Sequence, residues 1–217
     1  MQTRDYLDAF NFAVAQPEVD PAKIVYWGSS MSGGNAICAA AINKSIAGAI
    51  LQVPFVSGES IARLPGMTTS LLLQNRDPSV TDRSSATMPI FPSSLEELAS
   101  GASKAVLKDP GAIPFTEEMQ HRGMEWSKFC TVQSLTYTLL HEPIVDIHRI
   151  SPTPMLMIVA DSDVTTQTHL QLEAFEKALQ PKKLEILKGS GHFEPYYGET
   201  FEQNIQAQLN FLDEILS

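Results

Sequence analysis

The residues Gly28-Ser29-Ser30-Met31-Ser32-Gly33-Gly34 stand directly between an apolar run and a stretch of small residues. A nucleophilic serine on such a turn needs small neighbours on both sides. They let the backbone take a strained bend and let the following helix sit close to the strand. The bend would project Ser30 beyond the strand, with the N–H of Met31 at the helix N-terminus facing a developing oxyanion. The same residues also suit a plain strand-to-helix turn that favours Gly and Ser. A serine nucleophile needs a base, and the base needs an orienting acid. Among five histidines, His192 lies in Gly189-Ser190-Gly191-His192-Phe193, just after another apolar run. Asp161 and Asp163 follow a third such run. Their alternative use is to cap the helix that starts near Gln167. The chain order is therefore Ser, Asp, His.

The elements that must position these residues are legible in the periodicity. Tyr6, Leu7, Phe10 and Val14 form one stripe of a helix over 5–15, ended by Pro17 and Asp20-Pro21. Short apolar runs at Ile24–Trp27, Ala47–Val53 and Pro154–Ala160 read as buried parallel strands, and Leu184–Leu187 as a fourth strand. Between them lie a helix from Met31 to about Asn43 and one carrying Leu170, Ala174, Phe175 and Ala178. A final amphipathic helix presents Phe201, Ile205, Leu209, Leu212 and Leu216. Alternation of strand and helix predicts an α/β fold, a parallel sheet flanked by helices with right-handed crossovers. Ser30, the two aspartates and His192 then share the carboxyl edge of that sheet, where such folds bind ligands.

Residues 57–150 differ in texture, being rich in Pro, Ser, Thr and Met, with helices expected near 94–108 and 116–140. They read as a helical cap insertion within a core formed by 1–56 and 151–217. Met67, Met88, Met119 and Met124, with Phe115, Trp126 and Phe129, could line an acyl-chain tunnel there, or simply pack the segment.

Composition bounds the partners. The chain has 217 residues, a net charge of −10, 43% hydrophobic and 18% charged residues, the profile of an ordinary globular domain. Fifteen Lys and Arg against twenty-five Asp and Glu argue against nucleic acid or an acidic membrane surface as partner. No apolar run reaches the roughly 20 residues of a membrane helix. Cys38 and Cys130 form neither a disulfide framework nor a metal-ligand spacing, and Cys38 reads as helix packing. His141, Asp146 and His148 lack the further ligands that a metal would require. Gly28–Gly34 lacks the Lys of a phosphate loop, and Glu96-Glu97 and Glu117-Glu118 suit solvated helix starts. Met1–Ala9 is no signal peptide and Ile215-Leu216-Ser217 no peroxisomal address, so a cytoplasmic, intracellular setting is expected.

Over essentially its whole length the chain resembles the α/β-hydrolases, through Ile24–Asn35, Met155–Thr166 and Gly189–Tyr197. The resemblance implies Ser30 as nucleophile, His192 as base and Asp163 as acid. In that family's pattern the acid comes three residues after a small residue ending the strand, here Ala160; Asp161 is the alternative. It also implies Met31 N–H as an oxyanion donor and a mechanism with no cofactor and no metal. Trp27-Gly28-x-Ser30-x-Ser32-Gly33-Gly34 and Gly191-His192-Phe193-x-Pro195-Tyr196 are similar to a fungal group found beside polyketide and toxin biosynthetic genes, some of them polyketide transferases. The substrate implied is a small-molecule acyl ester or thioester, such as a polyketide or fatty-acyl chain, released by water or transferred to an alcohol. A peptidase shares the same triad.

Two departures stand out. Ser32 occupies a position that is usually Gly. The first four strands of the family's sheet also have no counterpart before Ile24, as if the chain were N-terminally truncated. With them goes the loop that supplies a second oxyanion N–H, worth roughly 10²–10³ in rate elsewhere. The Ile24–Trp27 strand then becomes an open edge, available to a second copy of the chain. The competing expectations are a non-catalytic remnant or a partner-binding subunit.

Overall fold

The computed structural model describes residues 2–62 and 86–217, so Met67 lies outside the described residues. They form two compact units, one of Met1–Val56 with Glu142–Ser217, the other Ser57–His141.

In the first unit, α1 (Gln2–Val14) precedes β1 (Val25–Ser29), α2 (Met31–Ile42) and β2 (Gly48–Gln52). After Glu142 come β5 (Met155–Ala160), α7 (Thr168–Lys177), β6 (Lys182–Leu187) and α8 (Gly198–Leu216). The four strands form a parallel sheet in the order β1-β2-β5-β6. Every residue of β2 and β5 is buried, because helices cover both sheet faces. Among the described residues no strand precedes β1, which lies at one edge of the sheet.

One face packs Tyr26, Leu51, Met157 and Val159 against Ile37 and Ala40 of α2, with Tyr6, Leu7 and Phe10 of α1 and Leu170 and Phe175 of α7 at its margin. The small residues of α2 let this helix lie close to the sheet; Ala36, Ile37, Ala39 and Ala40 are wholly buried. The other face packs Ile50, Leu156, Ile158 and Leu187 against Phe211, Leu212 and Ile215 of α8.

The sequence division placed the return to the core at residue 151. The first unit takes up the chain again at Glu142 because Ile144, Ile147 and Ile150 are buried in its core.

Helix α8 turns inward a side rotated from the expected stripe, which it shares at Leu212. Asn204, Gln208 and Phe211 are buried, whereas Phe201 and Leu209 are exposed. The cause lies in the sheet. Gln52, at the carboxyl end of β2, accepts from Asn204 Nδ2 at 2.6 Å and from Gln208 Nε2 at 3.1 Å. A buried amide has to be matched by polar partners, so hydrogen bonding fixed the rotation of the helix.

In the second unit, α3 (Glu59–Ala62) packs on α6 (Val132–Leu139), and β3 (Thr87–Pro89) pairs antiparallel with β4 (Phe129–Thr131). The helices expected over 94–108 and 116–140 are shorter: α4 spans Leu95–Ala99 and α5 spans Ala112–His121. Each stops at a left-handed glycine, Gly101 (φ 71) and Gly123 (φ 77). Met119 is buried while Met124 and Phe129 are exposed. A groove of this unit is lined instead by Leu95, Leu98, Ala99, Lys108 and Pro110.

No helix among the described residues is long and apolar enough to cross a membrane. None of their His, Cys, Asp and Glu side chains form a group of three or more able to hold a metal ion.

Candidate active site

The turn between β1 and α2 is as strained as the residue pattern predicts. Ser30 has φ 54 and ψ −125, a conformation that costs a non-glycine residue about 1–3 kcal/mol. Three backbone hydrogen bonds hold it there. Ser30 N donates to Gln52 O at 3.0 Å, and Ser30 O accepts from Phe55 N at 2.8 Å and Gly34 N at 3.3 Å. The first hydrogen bond within α2 is thus made by Gly34, so the N–H groups of Met31, Ser32 and Gly33 are not used by the helix itself.

Close approach explains Gly28. A Cβ there would stand 2.3 Å from the Ser32 carbonyl oxygen and 2.8 Å from Gly33 N. Ser32, where Gly is usual, is accommodated because its hydroxyl points to α1. Its Oγ lies 2.7 Å from the Tyr6 hydroxyl, which also sits 2.7 Å from Trp27 O.

The loops after β5 and β6 bring the remaining groups to Ser30. His192 Nε2 lies 3.0 Å from Ser30 Oγ, and His192 Nδ1 lies 2.8 Å from Asp163 Oδ2. Both partners of the second contact are buried. Burial pushes the Asp163 carboxyl up, but hydrogen bonding to His192 and the His192 charge, with the Thr166 hydroxyl and N–H, outweigh it and hold the carboxyl below its ordinary value. An ionised Asp163 can only accept, so Nδ1 carries the ring proton and Nε2 is free to accept from the Ser30 hydroxyl.

Asp161 lies apart from the imidazole. It accepts from Gly189 N at 2.9 Å, Ser190 N at 3.3 Å and Ser162 Oγ at 2.9 Å. The Gly189 N–H bond and the Ser162 hydroxyl draw its carboxyl below the ordinary value. Its work is to tie the His192 loop to the end of β5.

Several residues of this site went unnoticed in the sequence. Asp163 Oδ1 accepts from Thr165 N at 2.8 Å and Thr166 N at 2.9 Å. Its Oδ2 accepts from Thr166 Oγ1 at 2.7 Å and Gln171 Nε2 at 3.0 Å. The pattern Asp163-x-Thr165-Thr166 is a turn signature in which an aspartate takes backbone N–H groups two and three residues on, and it was the available signal. Behind His192, the Tyr196 hydroxyl meets Ser29 Oγ, which accepts from Gln52 Nε2 at 3.1 Å. Gln52 leads on to Asn204, which also donates to Pro195 O at 3.0 Å. Only Pro195 and Tyr196 stand in a motif legible in the sequence; nothing local marks Ser29, Gln52 and Asn204 as their partners, because these come from β1, β2 and α8.

Both cysteines are half-buried and free. Burial pushes the Cys38 thiol up to about 11 and raises that of Cys130, so neither is a ready nucleophile.

Known proteins resemble this chain in sequence and in fold. Residues 3–67, which include the Ser30 turn, match the acetyl xylan esterase family model. The thiohydrolase aneE of Aspergillus aculeatus is 27% identical across 100% of this chain and 69% of its own length. The polyketide transferase ATR5 of Stachybotrys chlorohalonatus is 26% identical across 99% of this chain and 71% of its own. The crystal structure of the α/β hydrolase GrgF from Penicillium sp. sh18 superposes with a TM-score of 0.78 and 25% identity, covering 98% of this chain and 71% of that one. A parallel sheet of the same build and relatives of hydrolase type together support an enzyme of the α/β-hydrolase class, similar to the fungal polyketide transferases and thiohydrolases.

Proposed function

We propose that this protein is a serine acyl hydrolase or acyltransferase that acts through Ser30, His192 and Asp163. The observation that carries the reading is the unbroken relay from Ser30 Oγ to His192 Nε2 at 3.0 Å and from His192 Nδ1 to Asp163 Oδ2 at 2.8 Å. It is supported by the strained turn that presents Ser30.

Ser30 Oγ attacks the acyl carbonyl while its proton passes to His192 Nε2. Asp163 keeps the imidazole in the required tautomer and stabilises the imidazolium that forms. The oxyanion meets the N–H of Met31 at the positive end of α2. Collapse expels an alcohol or thiol, which takes the proton from His192 and leaves the acyl group on Ser30. Water or an acceptor alcohol, deprotonated by His192, then releases it.

The names of the relatives, thiohydrolase and polyketide transferase, favour a thioester donor and a polyketide chain; we extend this to related fatty-acyl chains and to a role in secondary metabolism, toxin biosynthesis included. The match to an acetyl xylan esterase family supports attack on esters as well.

The test is covalent labelling with a biotinylated fluorophosphonate, located by mass spectrometry. Label is expected on Ser30 and is expected to vanish in Ser30→Ala and to drop sharply in His192→Ala. A folded sample that takes no label overturns the reading in favour of a non-catalytic relative, and one labelled elsewhere overturns Ser30 in favour of another nucleophile. Acyl thioester and acyl ester supplied with and without an alcohol then separate hydrolysis from transfer.

A further inference from the structure

The turn that carries Asp163 contains two local features that weaken a fold rather than strengthen it. Gln171, on the first turn of α7, is wholly buried, and its Oε1 has no hydrogen-bond partner among the described residues. Gln167, just before the helix, has φ 60 and ψ 102, left-handed backbone that a side chain as large as glutamine rarely adopts. Conflicts of this kind gather where function sets the geometry.

The buried amide has one tenable orientation. Its Nε2 lies 3.0 Å from Asp163 Oδ2 and 3.1 Å from Thr166 Oγ1. Turning the amide over would set Oε1 against a carboxylate oxygen, acceptor facing acceptor. An apolar side chain of the same length would fill the space without stranding a carbonyl, so packing alone does not account for glutamine here.

His192 Nδ1 has two oxygens within reach. Asp163 Oδ2 is at 2.8 Å and Thr166 Oγ1 at 3.3 Å. The two amide hydrogens of Gln171 bridge these same two oxygens. One occupies a lone pair of the threonine hydroxyl, which makes that hydroxyl a poorer acceptor for the imidazole. The other helps to hold the carboxylate in place, together with the Thr165 and Thr166 N–H groups on Oδ1.

We propose that Gln171 is a positioning residue that directs the His192 Nδ1–H to Asp163 rather than to Thr166, and thereby keeps Nε2 aimed at Ser30. Its kinetic consequence rests on the Ser30–His192–Asp163 reading above; its effect on the imidazole does not.

The experiment compares the whole chain as wild type, Gln171→Met and Gln171→Glu. Methionine restores the length without polarity, and glutamate is isosteric but replaces the donor with an acceptor. Three quantities are read: the melting temperature, the downfield proton resonance of His192 Nδ1–H (assigned by its loss in His192→Gln), and kcat and KM on p-nitrophenyl butyrate. Gln171→Met is expected to melt somewhat below the wild type, because loss of the donors to Asp163 and Thr166 outweighs removal of the stranded carbonyl. Its resonance should move upfield, and kcat should fall about tenfold with KM changed less than about twofold. Should Gln171→Met fail to fold, Gln171→Glu alone is expected to give the same displaced resonance. A folded variant whose resonance stays at the wild-type position overturns the proposal, whatever its melting temperature. A displaced resonance in a chain that never turns over the ester upholds Gln171 and removes the Ser30 reading. Wild-type turnover with an unmoved resonance does the reverse.

Discussion

Adding one methyl group at Gly28 tests the geometry of the nucleophile turn most directly. The Cβ of Gly28→Ala would stand 2.3 Å from the carbonyl oxygen of Ser32, 2.6 Å from its carbonyl carbon and 2.8 Å from Gly33 N. Ordinary carbon contacts begin near 3.5 Å, so the gap falls about 1 Å short. All three obstructing atoms are backbone in the first turn of α2, and no side chain can rotate to relieve them. Either α2 must slide along β1 or the bend at Ser30 must open. Overpacking of this kind costs roughly 1–3 kcal/mol. A displacement of about 1 Å between nucleophile and base can cost on the order of 10² in rate. The control is Gly191→Ala, whose Cβ would meet first the Glu194 Oε2 atom at 3.0 Å, the movable end of a side chain. The assay is the rate of fluorophosphonate labelling at Ser30 beside a thermal melt. Gly28→Ala is expected to label on the order of a hundredfold more slowly and to melt lower, with Gly191→Ala close to wild type. A folded Gly28→Ala that labels at the wild-type rate would refute the claim that close approach of α2 to β1 sets the Ser30 geometry.

Variants of two neighbouring residues, Asp163 and Asn204, test the surrounding groups. Asp163 has its folded-state pKa depressed below the ordinary 3.8. Its ionised form therefore stabilises the fold above that value, and the contribution is lost as pH falls through the lower folded-state value. The melting-temperature gap between wild type and Asp163→Asn should thus be largest near neutrality and shrink below about pH 4; a gap that widens in acid would contradict the sign. The same variant should lose on the order of 10⁴ in turnover, read with p-nitrophenyl butyrate. Asn204→Leu removes the donor to Pro195 O and one of the donors to Gln52. Leaving such groups unsatisfied should cost about 1–3 kcal/mol in urea denaturation and slow labelling through the loop that carries His192. Full stability would show that α8 does not depend on its polar face.

The carboxyl edge of the sheet was readable before any coordinates. The first three strands are short apolar runs closed by Gly, Pro or Asp, and each functional residue lies within a few residues of a strand's carboxyl end. Ser30 after Val25–Ser29, Asp163 after Met155–Ala160 and His192 after Lys182–Leu187 needed only the rule that parallel strands end together. Only the family resemblance favours Asp163 over Asp161, since the strand pattern by itself places both after β5. The choice was made by the fold of the loop. Asp161 turns to the Gly189 and Ser190 N–H groups, and Asp163 is carried inward to the imidazole by the Thr165 and Thr166 N–H groups. The inward side of α8 was misjudged for a related reason. Hydrophobic periodicity assumes an apolar partner surface, and the sheet offers the amide of Gln52 there instead.

The sequence by itself determined the class of fold, the strand that bears Ser30, and the residue types gathered beyond the strand ends. These follow from local periodicity and from turns that only small residues can make. Tertiary structure alone decided which aspartate meets His192, which amide steadies that aspartate, and which side of α8 faces the sheet. Each of those outcomes depends on hydrogen bonds between groups far apart in the chain. Such bonds are directional, and no local pattern of residues encodes which distant partner will stand within 3 Å.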